Sequence, residues 1–273
     1  MIADLKLKYQ SLITILKSYE SAAIAFSGGV DSTFLAKAAF VALGNKSLVI
    51  TIDSEAYSPA DIMHARELAR YIGIKLIEIS LKITDIPEFC ANTPERCYFC
   101  KKELFTIMLN KAKEEGIHVL MDGSHKDDDN DYRPGLKALD ELHIKSPLKE
   151  RDFTKNEIRL MSKELGLPTW NMQSSTCLAS RFPYGHEITP ECLEKAWKAE
   201  TILREIGITQ YRIRDYGQIA RIEVDREDFT LLLDKIVRDK IVKHLKMLGY
   251  TYVTLDLEGY RTGSMNEVLK EMK

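Results

Sequence analysis

The chain has 273 residues, 39 of them Lys or Arg and 41 Asp or Glu, for a formal net charge of −2. That balance removes the basic signature of a general nucleic-acid binder, and 45% apolar against 29% charged residues excludes a mainly disordered chain. No apolar run approaches the roughly 18–20 residues of a membrane span, and the opening MIADLKLKYQ lacks the apolar core of a signal peptide, so a cytoplasmic protein is expected.

Short apolar runs of β-forming character fall at 22–26 (AAIAF), 47–52 (SLVITI), 75–79 (KLIEI) and 117–121 (IHVLM), each separated by a helix-length amphipathic segment. Apolar strands alternating with helices predict a parallel sheet covered on both faces, with ligands at the carboxyl ends of the strands. A helix is expected over 154–166, opened by Thr154 with Glu157 three residues on and closed by Gly166 and Pro168. After a long irregular stretch the order changes to a helix (190–206), strands around YRIRDYG and QIARIEV, a helix near 227–248 and a strand YTYVTLDL. The expected architecture is therefore an α/β, Rossmann-like parallel-sheet domain over 1–168 and a smaller α+β domain over 169–273. Phe34, Phe40, Met108 and Met161 sit in amphipathic helical segments and read as core.

The first strand runs directly into Ser27-Gly28-Gly29-Val30-Asp31-Ser32 and then a helix ending near Gly44. A strand–loop–helix junction presents backbone N–H groups and the positive end of a helix dipole, and glycine lets a phosphate approach closely. Ser27 and Ser32 add hydroxyls, while Asp31 is an acceptor suited to holding Mg2+ against pyrophosphate. The string SGGVDS resembles the PP-loop of the ATP pyrophosphatase superfamily, adenine nucleotide alpha hydrolase-like enzymes that cleave ATP to AMP and pyrophosphate, and it differs from a kinase-type P-loop. The resemblance implies adenylation of a substrate oxygen, with Asp53, Ser54 and Glu55 after the second strand near the adenosine.

Five cysteines without an export signal read as thiols with a chemical role. Cys97 and Cys100 open a helix and Cys177 lies in SSTCLASRFPYG, a Cys-x-x-Cys plus one remote cysteine. Three readings are open: a thioredoxin-like pair, a zinc site completed by Cys90 or His125, and a 4Fe-4S cluster held by three thiolates. The last leaves one iron for an extra sulfide, which beside an adenylating loop suggests sulfur insertion. Cys90 and Cys192 read as ordinary thiols.

Taken together, SGGVDS, KDDDNDYRPG, CLASRFPYG, YRIRDYG, ARIEV and VTLDLEGYRTGSMNEVL resemble LarE, the ATP-dependent sulfur transferase family of nickel-pincer nucleotide biosynthesis, over nearly the whole chain. The resemblance implies adenylation of a carboxylate of pyridinium-3,5-biscarboxylate mononucleotide and its conversion to the thiocarboxylate. It also implies ATP and Mg2+, a sulfide or sulfur donor, and a homo-oligomer. One branch of the family consumes a single cysteine matching Cys177; the three-cysteine set Cys97, Cys100 and Cys177 resembles the branch with a 4Fe-4S cluster, and both routes remain open. The family pattern puts Ser27, Gly28, Gly29, Asp31 and Ser32 on the nucleotide, Arg181 on a phosphate and Glu200 near the reacting centre. A helix glutamate is otherwise ordinarily solvated. Arg212 and Arg214 alternate along one strand and so share a face able to clamp a phosphate. Glu223 and Arg261 are expected to complete that pocket. The acidic loop Asp127, Asp128, Asp129 is read as a flexible turn, with Asp131 and Arg133 reserved for a role at the site. The competing readings are a tRNA thiolase of the same superfamily, an ammonia-dependent PP-loop ligase, and an iron–sulfur protein that binds nucleotide as a signal.

Overall fold

The computed structural model describes residues 2–130, 134–173 and 176–270; Asp131 and Arg133 lie outside them. The chain forms two compact units, Met1–Lys82 with Cys97–Ser175, and Ile83–Arg96 with Thr176–Lys273. The division expected after residue 168 thus falls seven residues further on, and the second unit takes in a 14-residue excursion from the first half. No helix among the described residues is long and apolar enough to cross a membrane.

In the first unit, strands β1 (Ala22–Ala25), β2 (Ser47–Asp53), β3 (Lys75–Ser80) and β4 (Leu120–Met121) form a parallel sheet in the order β3-β2-β1-β4. β4 is shorter than its apolar run: Ile117 to Val119 stay outside it. Because β1 and β4 run parallel in register, Ile24 opposite Met121, the segments that leave them emerge at one edge of the sheet. Helix Val30–Leu43 follows β1; its largely apolar sequence buries Phe34, Leu35 and three alanines, as a helix covered on several sides must. Phe34 lies between Tyr9 and Phe153, with ring centroids 5.8 and 5.6 Å away. Met161 and Phe40 belong to the same core, and Met108 is buried.

Helix Lys155–Glu164 starts where the sequence places it. Thr154 Oγ1 accepts from Glu157 N (3.3 Å) and Glu157 Oε2 accepts from Thr154 N (2.8 Å), a reciprocal cap.

The second unit holds β5 (Tyr211–Tyr216), β6 (Ile219–Val224) and β7 (Tyr252–Leu255) in the order β5-β6-β7, antiparallel then parallel. Gly217, at φ 73, makes the tight turn between β5 and β6. Helices Pro190–Glu205 and Lys235–Met247 share a core with this sheet, built from Leu203, Ile213, Val224 and Leu245. The single helix expected near 227–248 is two, Phe229–Leu233 and Lys235–Met247. Asp234 separates them: its carboxylate accepts from Ile236 N and Val237 N, so it caps the second helix instead of continuing the first.

Candidate functional site

The Ser27–Ser32 loop joins β1 to helix Val30–Leu43 through Gly29, and no side chain caps that helix. Its first-turn amides and positive dipole end are therefore what an approaching anion meets. Gly28 has φ 72, and a Cβ there would stand 3.2 Å from Ala65 Cα, so glycine is required on both counts. Ser27 Oγ lies 3.2 Å from Ser32 Oγ and accepts from Gly29 N (3.3 Å). At the end of β2, Ser54 is buried and its hydroxyl has no hydrogen-bond partner among the described residues, while Asp53 is half-buried.

Three residues at this loop were not singled out in these roles from the sequence. Gly123, just past β4, packs so close that a Cβ would stand 3.0 Å from Ser32 N. Lys155 Nζ grips both oxygens of Asp31, at 2.8 and 2.6 Å. His125 is buried with Nε2 3.9 Å from Asp31 Oδ1 and 3.5 Å from Asp128 Oδ1. The acidic turn is also more ordered than expected: Asp128 is buried and accepts from His125 N (2.9 Å), and Asp127 accepts from Lys155 N (2.7 Å). These carboxylates escape mutual repulsion by capping backbone donors.

In the second unit, Cys177 is half-buried at the start of a 3-10 turn, Leu178–Arg181. Arg181 folds back over that turn and donates to Thr176 Oγ1 (2.7 Å) and to the carbonyl oxygen of Cys177 (3.3 Å). Its Nε and Nη2 meet Glu200 Oε1 (2.7 Å) and Oε2 (2.9 Å), a two-point pair with both side chains buried. Glu200 also accepts from Ile213 N (3.0 Å), which ties helix Pro190–Glu205 to β5. Burial works against the Arg181 charge, but the Glu200 carboxylate outweighs it and holds the guanidinium above its ordinary range.

Arg212 and Arg214 do share one face of β5, and both are buried rather than solvated. Arg214 pairs with Glu223 Oε2 (3.0 and 2.7 Å) and donates to Ser180 O (2.9 Å). Arg212 lies over the Tyr260 ring (5.2 Å), and its pKa is lowered, first by burial and then by the neighbouring Arg181 charge. The strand thus carries one guanidinium paired with a buried carboxylate and one lying over an aromatic ring. Glu223 is wholly buried and also accepts from Arg221 (2.8 Å). The GYRTGSMN segment reaches this cluster through Ser264, which accepts from Arg214 (3.2 Å), whereas Arg261 turns to Glu267 (2.5 Å) and Glu258 (2.8 Å).

Cys97 is exposed and Cys100 half-buried on the first turn of helix Arg96–Glu114, where spacing of three puts both on one face. Gly135 packs against this turn, its absent Cβ 3.2 Å from Cys97 O. Among the described residues no group of three or more His, Cys, Asp or Glu is gathered as a metal ion would need.

A parallel sheet with an uncapped glycine–serine loop after its first strand defines an ATP-using enzyme of the PP-loop class, and the NAD synthase family profile matches residues 10–98. Along its full length the chain is similar to the pyridinium-3,5-bisthiocarboxylic acid mononucleotide synthase of Lactiplantibacillus plantarum, 36% identical over 269 residues, 98% of this chain and 97% of that protein. It is 40% identical over 265 residues to uncharacterized protein slr1717 of Synechocystis, 97% of this chain and 99% of that one. Uncharacterized protein MJ0830 of Methanocaldococcus jannaschii is 34% identical over 241 residues, 88% and 90% of the two chains. The chain belongs to the LarE family of ATP-dependent sulfur transferases.

Proposed function

We propose that the chain adenylates a carboxylate of pyridinium-3,5-biscarboxylate mononucleotide and replaces AMP with sulfur, giving the thiocarboxylate used in nickel-pincer nucleotide biosynthesis. The observation that carries this reading is the 36% identity to the synthase over 98% of the chain, a span that includes both the Ser27–Ser32 loop and the Cys177 turn.

In this reading the amides of Val30 to Ser32 and the Ser27 and Ser32 hydroxyls hold the pyrophosphate moiety of ATP, with Asp53 and Ser54 toward the adenosine. Asp31 fits Mg2+ as a half-buried carboxylate already satisfied by a cation, and bound Mg2+ would neutralise phosphate charge there. A substrate carboxylate oxygen attacks the α-phosphorus, the bond to the β-phosphate oxygen breaks, and pyrophosphate leaves. A sulfur nucleophile then attacks the activated carbon, and AMP departs with that carboxylate oxygen. Arg212 and Arg214, on one face of β5, take the phosphate of the mononucleotide, with Arg214 held in place by Glu223 and Ser264. Glu200 fixes Arg181, which fixes the Cys177 turn. Arg261 has an outer role at most, tied as it is to Glu258 and Glu267.

For the sulfur, the donor set fits a 4Fe-4S cluster in kind, with three thiols, two of them on one helical turn. Bound by Cys97, Cys100 and Cys177, such a cluster would supply sulfide as the nucleophile. A second reading is favoured by the hold of Arg181 on the Cys177 turn: the Cys177 thiolate itself attacks, and loss of its α-proton with cleavage of its Cβ–S bond leaves dehydroalanine. The enzyme is read as a cytoplasmic homo-oligomer fed by sulfide or another sulfur donor.

The test is anaerobic incubation with ATP, Mg2+, the biscarboxylate mononucleotide and sulfide. Pyrophosphate release that depends on the mononucleotide, with a product heavier by about 16 Da as sulfur replaces oxygen, is expected. An amide formed from added ammonium, with no thiocarboxylate, overturns the reading in favour of a nitrogen-transferring ligase. Unchanged polypeptide mass after turnover points to cluster-borne sulfur, and a loss of about 34 Da to consumption of Cys177.

A further inference from the structure

The excursion Ile83–Arg96 carries none of the residues given a part in the proposed reaction, yet it belongs to the second unit. Within it Asn92 is wholly buried and adopts φ 49, the left-handed region that asparagine tolerates better than most side chains. Its Nδ2 donates to Pro183 O (2.8 Å), its carbonyl oxygen accepts from Gly185 N (3.0 Å), and its Oδ1 accepts from Arg96 Nη1. Arg96, also buried, donates from the same nitrogen to Ala179 O (3.0 Å), two residues beyond Cys177.

We propose that Arg96 and Asn92 are positioning residues for Cys177: they pin both ends of the Ala179–Gly185 segment and so fix the turn that presents the sulfur. This rests on the reading that Cys177 takes part in sulfur transfer. The backbone of that turn is held by donors from separate parts of the unit. Arg181 takes the Thr176 and Cys177 carbonyls from within, Arg214 takes Ser180 from β5, and Arg96 takes Ala179 from the excursion. A short turn has few contacts of its own, so it keeps one conformation only if its carbonyls find fixed donors. The left-handed Asn92 shows the backbone of the excursion shaped to make these contacts, since an alanine there would be strained and would lose two of the three hydrogen bonds, keeping only that of the backbone carbonyl. Arg96 also immediately precedes Cys97 in the chain.

The experiment is differential alkylation of the full-length, metal-free protein with iodoacetamide, following the Cys177 and Cys192 peptides in the same sample by mass. Arg96→Gln is expected to speed alkylation of Cys177 roughly fivefold or more while Cys192 keeps its wild-type rate, with Arg96→Lys intermediate because it retains the charge and part of the donor set. In turnover, Arg96→Gln is expected to lower kcat for thiocarboxylate formation about tenfold with KM for the mononucleotide unchanged, as for a group that acts through another. Should Arg96→Gln not fold, Arg96→Lys and Asn92→Asp decide, the latter keeping the acceptor for Arg96 and losing the donor to Pro183. An unchanged Cys177 rate, or Cys177 and Cys192 rising together, overturns the proposal. If the wild type forms no thiocarboxylate, the functional reading fails, while the alkylation contrast still tests the clamp.

Discussion

The Asp31–Lys155 pair at the nucleotide loop leaves its side chains 25% and 28% exposed, whereas Arg181–Glu200 are at 4% and 9% and Arg214–Glu223 at 6% and 0%. A pair open to water contributes little to stability, and either partner can be exchanged for a ligand charge. A buried pair is costly to break because the remaining charge stays desolvated and uncompensated. The Asp31–Lys155 pair thus stays open to a ligand that brings its own charge, while the Arg181–Glu200 and Arg214–Glu223 pairs are fixed before anything binds. On the proposed function, that suits a division between holding a flexible, highly charged nucleotide and presenting one reacting sulfur in one geometry.

Substitutions can break this contrast, and the largest effect is expected at Cys177. Cys177→Ser should lower thiocarboxylate formation at least ~10³-fold while mononucleotide-dependent pyrophosphate release persists, measured side by side in one assay. Next comes Glu223→Ala, which strands Arg214 in a buried site; urea denaturation should show a loss of about 3–5 kcal/mol. Gly28→Ala forces a side chain into the left-handed region and against Ala65, so about 1–2 kcal/mol of stability and much of the ATP affinity should go, read by melting with and without ATP. Lys155→Met should change stability by no more than about 1 kcal/mol, with weaker ATP binding by calorimetry.

The smallest effect is a pH dependence. Burial opposes the Glu157 charge, yet Lys8 and the Thr154 cap outweigh it and hold the carboxyl below its ordinary 4.5. A depressed carboxyl pKa contributes stability that is present above pH 4.5 and lost as pH falls through the folded value. Glu157→Gln should therefore remove that contribution above pH 4.5 and flatten the acid limb, the two proteins converging as pH falls through the folded value, traced by denaturant midpoints.

What the sequence made legible was local. Strand periodicity placed β1 to β3, the Thr154/Glu157 spacing placed a helix start, and SGGVDS placed a loop at a strand end. Alternation put Arg212 and Arg214 on one face, but whether that face was wet or buried depended on Glu223 and Ser264, 9 and 50 residues from Arg214. Lys155 opposite Asp31 is a contact across 124 residues and leaves no local pattern. The excursion 83–96 was hidden because its anchors, Asn92 and Arg96, act on backbone carbonyls, which any sequence supplies. The break at Asp234 had a signal, an N-cap residue within an apolar periodicity, and the longer periodicity masked it.

The central claim, activation of a carboxylate by adenylation before sulfur arrives, is tested most directly by turnover of mononucleotide labelled with 18O in both pyridinium carboxylates. The account predicts AMP carrying one 18O in its phosphate for each thiocarboxylate formed, because the carboxylate oxygen leaves on phosphorus. Thiocarboxylate formed with unlabelled AMP would contradict it.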